Sequence, residues 1–147
     1  MTRPRPRLSG LVLALVLMSP VSSRADDQDV IDYRQHIMKT MNEEAAAIAQ
    51  ILQQKIPAAD FATHAEILAI TAATAKKAFE PKVPGGEAKP VLWANWKDFS
   101  KRLDDLTAAT ADLARKAKEG GMAAAAPRVQ SALTCDSCHD IYREKKD

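Results

Sequence analysis

Beyond residue 25 the glycines fall only in two adjacent pairs, Gly85-Gly86 and Gly120-Gly121, and the prolines stand at Pro57, Pro81, Pro84, Pro90 and Pro127. Such residues interrupt regular structure. The uninterrupted stretches between them carry apolar side chains at alternating steps of three and four, the period that lines one face of a helix. Residues 27–54 align Val30, Tyr33/Arg34, Ile37/Met38, Met41, Ala45, Ile48 and Leu52. Residues 59–79 align Phe61, Ala65, Leu68, Ala72, Ala75 and Phe79, and residues 96–118 align Phe99, Leu103, Leu106, Thr110, Leu113 and Ala117, with Asn95 as the expected N-cap. A fourth stretch, 124–145, brings Val129, Ala132, Cys135, His139 and Tyr142 near one face, with Pro127 expected in its first turn. Connections at 55–58 and 119–123 are short enough to make neighbours antiparallel, and 80–94 is one long crossover. The expected fold is all-α, an antiparallel four-helix bundle.

Alanine supplies 25 of residues 26–147 and aromatics only seven, so the 46% hydrophobic fraction overstates the apolar area available to a core. Alanine favours helix but buries little surface. A second hydrophobic source is needed for a tight bundle.

Residues 1–25 have a different character. Arg3, Arg5 and Arg7 precede an apolar stretch centred on Leu11–Met18, and Ser23-Arg24-Ala25 places small residues where a cleavage site needs them. This pattern predicts a secretory signal peptide cut after Ala25, leaving residues 26–147 as an exported, periplasmic domain without a membrane anchor. Four arginines and no acid lie in the leader, so the formal charge of +2 becomes −2 without it. Nucleic-acid binding is excluded on that balance, since phosphate neutralisation would lack its cations.

The chemistry is concentrated in Cys135-Asp136-Ser137-Cys138-His139. This is C-x-x-C-H, the attachment signature of c-type haem: two thiols form thioethers to the porphyrin and His139 supplies the proximal ligand. The competing readings are a disulfide or a redox-active C-x-x-C. A thioredoxin-like site, however, belongs after a strand in an α/β pattern, and this one lies late in a helical chain. Zinc would lack a fourth clustered Cys or His ligand.

Several segments together resemble the class II cytochromes c, the cytochrome c-prime family. They are Tyr33-Arg34-Gln35 in the first helix, Gly85-Gly86-Glu87-Ala88-Lys89-Pro90 leading to Trp93, and the final Cys-Asp-Ser-Cys-His-Asp-Ile-Tyr-Arg-Glu-Lys-Lys. The resemblance spans residues 26–147 and implies one covalent haem c per chain. It implies that Arg34 and Gln35 contact the haem or its propionates, that Glu87 lies near the haem edge, and that Arg143 flanks the proximal imidazole. It also implies that the residue four places after the first-helix arginine decides the function. In one branch that residue is a methionine ligating a low-spin iron; in the other it shields a vacant sixth position.

Here it is Met38. Arg34 and Met38 differ by one turn plus about 40° of rotation, so both can face one pocket. The favoured expectation is the low-spin branch, an electron carrier with His139 proximal and Met38 distal, serving periplasmic redox proteins. The alternative is a five-coordinate high-spin protein binding nitric oxide or carbon monoxide, with Met38 as mere cover. Met41 is the next candidate ligand and Met122, expected in a loop, a weaker one; His36 and His64 are expected on other helix faces. No paired carboxylates, oriented serine nucleophile or phosphate-binding glycine loop occurs, so no enzymatic activity is expected. Either a monomer or a homodimer is compatible with the stripes.

Overall fold

The computed structural model describes residues 26–145; the leader, its cleavage site and Lys146 lie outside the described residues. Helix α1, Asp27–Leu52, opens on a reciprocal cap: Asp26 Oδ1 accepts from the Asp29 amide at 2.8 Å, and Asp29 Oδ2 accepts from the Asp26 amide at 3.2 Å. It ends two residues before the expected boundary, where Gln54 turns left-handed at φ 58°. One 3₁₀ turn, Ala58–Asp60, leads into α2, Phe61–Phe79. The chain then crosses over, makes a single unexpected turn, α3 (Val91–Ala94), and enters α4, Trp96–Ala132.

Gly120 and Gly121 break α4 into two limbs, Gly121 at φ 66° and ψ −163°, so the expected 119–123 connection is a sharp bend. Four expectations fail around these ends. Asn95 makes no side-chain cap; its carbonyl instead accepts from the Asp98 and Phe99 amides. Met122 lies at the start of the second limb, half-buried against the core, and Pro127 consequently falls in that limb's second turn. The expected continuous 124–145 helix breaks at Leu133-Thr134, and a separate α5 runs Cys135–Tyr142.

Tertiary hydrogen bonds explain where α5 stops. The Tyr142 carbonyl accepts from the Lys89 amide at 3.0 Å, and Glu144 donates its amide to the Glu87 carbonyl at 2.8 Å. The crossover thus takes over the backbone partners that another helical turn would use. Arg143 leaves extended, bridged to Ala88.

Burial follows the sequence stripes closely in α2, where Phe61, Ala65, Leu68, Ala72, Ala75 and Phe79 are all buried. In the first limb of α4, Phe99, Leu103, Thr110, Leu113 and Ala117 are buried and Leu106 is half-buried. Helix α1 departs from its stripe: Tyr33 is 55% exposed, and Ile51 rather than Leu52 is buried. The fully enclosed alanines Ala65, Ala72 and Ala75 line α2, which packs against both α1 and α4. Small side chains allow that close approach but bring little apolar area each.

Candidate haem site

A cavity of about 740 Å³ lies between α1, α5, the first limb of α4 and the crossover. Its size is within the range of small-molecule and cofactor pockets. The structure brings to its wall all eight residues singled out in the sequence: Arg34, Gln35, Met38, Glu87, Cys135, Cys138, His139 and Arg143. Met41 lines it as well, whereas Met122, His36 and His64 do not. His64 instead pairs through Nδ1 with Glu44 Oε2 at 2.8 Å, bridging α2 to α1.

On the α1 wall, Arg34 is the most deeply buried charged residue described, 3% exposed. Its guanidinium carbon sits 5.2 Å from the Trp93 ring centroid and 5.4 Å from that of Phe79. Both rings offer their π density to the cation, yet Nη1 and Nη2 have no hydrogen-bond partner among the described residues. Burial pushes the Arg34 pKa down, yet a guanidinium is basic enough to stay charged in proteins. A permanently charged group with two free donors, beside a cavity, is chemically complete only with an anionic oxygen partner.

The opposite wall is the start of α5. Cys135 and Cys138 are one helical turn apart and not joined as a disulfide, and burial is the first cause that raises both thiol pKa values. The His139 pKa is lowered, first by burial and then by the Arg143 cation, against the opposing pull of Asp136, Glu87 and Asp140. A neutral imidazole with an available nitrogen lone pair results. The donor set therefore fits a haem c: two thiols for thioethers, one neutral imidazole for iron, and the Arg34 guanidinium for a propionate.

The crossover forms the rim. Gly85 and Gly86 adopt φ 128° and 64°, and a Cβ on either would come within 2.7 Å of Ile31 Cδ1 or 2.9 Å of Gln35 Nε2. The crossover backbone therefore lies directly against the side chains of α1, and the positive φ at both positions favours glycine.

Three features had no clear signal in the sequence. The Trp93–Phe79 sandwich around Arg34 joins residues from two elements. Asp98 is the second: it accepts from both Arg102 and Tyr142, the latter on α5. Only its i,i+4 spacing to Arg102 was visible beforehand. The third is the backbone tie between the crossover and residues 142–144.

Comparison with known proteins decides the family. The profile described as Cytochrome C' matches residues 29–143. The chain belongs to the cytochrome c-prime family. This cytochrome is 32% identical over 124 residues to the cytochrome c' of Rubrivivax gelatinosus, covering 80% of this chain and 95% of that one. To the cytochrome c' of Alcaligenes xylosoxydans xylosoxydans it is 26% identical over 129 residues, 83% and 98% of the two chains. To the cytochrome c-556 of Agrobacterium fabrum it is 31% identical over 122 residues, 79% and 82%. Solved structures of cytochrome c prime variants from Alcaligenes xylosoxidans, one a nitric oxide complex and one with carbon monoxide bound, each superpose with a TM-score of 0.76. Both are 25% identical, covering 84% of this chain and 100% of theirs. The fold is thus the four-helix bundle of this family, and its cofactor is covalently attached haem c. The comparisons place this cytochrome in the family as a whole and do not single out the low-spin branch favoured from Met38.

Proposed function

We propose that this cytochrome takes nitric oxide or carbon monoxide at a five-coordinate iron, with His139 the sole protein ligand. The reading is carried by the solved relatives of the same fold that hold those gases. When bound, haem c supplies an iron that can accept a diatomic molecule or exchange one electron. The chain's own residues do the rest. Cys135 and Cys138 would form the thioethers, and neutral His139 would give its nitrogen to the iron. Arg34, with Gln35 beside it, would receive a propionate. Arg143 places positive charge next to the imidazole and opposes its protonation. Glu87 stands at the rim close enough to act on His139 in the opposite sense. Met38, half-buried against the core on the α1 wall of the cavity, would shield the bound iron from water.

Carbon monoxide added to the reduced protein tests this. Uptake proportional to gas concentration, without prior loss of a ligand, is expected. Uptake that saturates at a fixed slow rate, together with a ferric near-infrared sulfur-to-iron band, would overturn it.

Met38 itself favours a second reading, since its thioether lies on the same cavity wall as Arg34, one turn further along α1. Ligation by Met38 would make the protein a single-electron carrier for periplasmic redox proteins. A Met38→Ala change converts low-spin iron to high-spin under that reading and leaves the spin state alone under the first. Both readings assign no enzymatic reaction, and both take residues 1–25 as an export signal to the periplasm. No helix among the described residues is long and apolar enough to cross a membrane.

A further inference from the structure

One pair of side chains on α4 holds α5 at two points. Tyr142, 5% exposed, donates its hydroxyl to Asp98 Oδ2 at 2.7 Å. Arg102 donates Nε to the same oxygen at 2.6 Å and Nη1 to the Ser137 carbonyl at 3.0 Å. Ser137 precedes His139 by two residues and Tyr142 follows it by three. The held points therefore bracket the imidazole, about 7.5 Å apart along the helix axis. Two anchors at that spacing fix a tilt, which one anchor cannot.

Helix α5 needs such anchors. Its eight residues are too few for a helix to persist alone, and Thr134 gives it no side-chain cap. The Tyr142 ring packs edge-on to Phe99 at 5.1 Å, so its hydroxyl has little freedom to leave Asp98. An exposed i,i+4 ion pair such as Asp98–Arg102 contributes little by itself. Here the pair also reaches across to a neighbouring helix, through a buried phenol and a backbone carbonyl.

We propose that Asp98 is a positioning residue for the proximal imidazole: through Tyr142 and Arg102 it sets the tilt of α5 and, with it, the direction of the His139 ring plane over the iron. The proposal rests on His139 being an axial ligand, and holds for five- or six-coordinate iron alike.

The test is the proton NMR spectrum of the ferric holo-protein, where the haem methyl shifts report the orientation of the axial imidazole in either spin state. Asp98→Ala and Tyr142→Phe are expected to change the spread and order of the four methyl resonances in the same direction. Asp98→Asn, whose amide oxygen still accepts from Tyr142, restores most of the wild-type pattern. Tyr142→Phe keeps the ring packing and carries the test if Asp98→Ala fails to fold. Methyl patterns superimposable on wild type in both variants, even with a lowered melting temperature, overturn the positioning role while leaving ligation intact. Absence of hyperfine-shifted imidazole protons from the wild-type spectrum overturns ligation by His139, and the positioning role with it.

Discussion

Trp93 donates its indole N–H to the carbonyl of Phe79 at 2.9 Å, which holds in place the two rings that enclose the Arg34 guanidinium. Among the described residues, the enclosed cation has no acceptor for Nη1 or Nη2.

Replacing Arg34 should therefore act with opposite sign in the two forms of the protein. Arg34→Met removes a buried unpaired charge from the haem-free chain and is expected to stabilise it by about 1–3 kcal/mol; the holo-protein loses a charge-assisted bond to the propionate and is destabilised by a similar amount. Denaturant titrations of the two forms, with the haem-free form made as Cys135→Ala/Cys138→Ala, check the reversal. A loss of stability in both would refute it.

The haem-free protein is expected to be helical but loosely packed. Its cavity of about 740 Å³ would be open where the porphyrin supplies apolar contact, and the alanine-rich α2 cannot close it. Far-ultraviolet dichroism close to that of the holo-protein with weak near-ultraviolet bands is the expected signature. Equally sharp near-ultraviolet bands would contradict it.

Acid should weaken the Asp98 contacts. Hydrogen bonds from Arg102 and Tyr142 hold its carboxyl below the usual carboxylate range. A folded-state pKa below the unfolded value adds stability that is fully present above the unfolded pKa, about 3.9, and is lost as pH falls through the lower folded value. The stability difference between wild type and Asp98→Ala should be constant above about pH 5 and shrink below about pH 4. Urea midpoints measured across that window test it.

Glycine substitutions should be costly at the crossover and at the bend for different reasons. Gly86→Ala combines φ 64° with contacts of 2.9 Å to the tip of Gln35 and 3.1 Å to Ile31, and is expected to destabilise by about 1–3 kcal/mol. Gly121→Ala meets nothing within 4 Å, but φ 66° with ψ −163° is backbone that essentially only glycine adopts, which costs about 1–3 kcal/mol by itself. Thermal melts of both variants should fall; an unchanged melt for Gly121→Ala would refute the backbone cost.

The bundle and the site were legible in the sequence to different depths. Helix stripes could be read because burial in α2 and the first limb of α4 is decided by spacing along one element. The attachment motif was legible because its chemistry is local to five residues. Resemblance alone brought in Arg34, Gln35, Glu87 and Arg143, and the structure gathers them at one cavity. The end of α5 could not be read from residues 124–145, because its deciding partners are backbone groups of Glu87 and Lys89 in the crossover. Asp98 was hidden for the same reason: its second partner, Tyr142, is 44 residues away. Asn95 and Met122 failed because cap and loop expectations used composition, while the backbone satisfied itself locally.

At one end of the crossover Gly85 and Gly86 bear on Ile31 and Gln35 of α1, the helix of Met38; a few residues later Glu87, Ala88 and Lys89 are tied to the chain leaving His139. The same short strap therefore grips both jaws of the cleft and works as a calliper. Its length, as much as helix packing, gauges the gap between the wall that carries Met38 and the wall that carries His139, so lengthening or shortening residues 85–89 would change the width of the cleft itself.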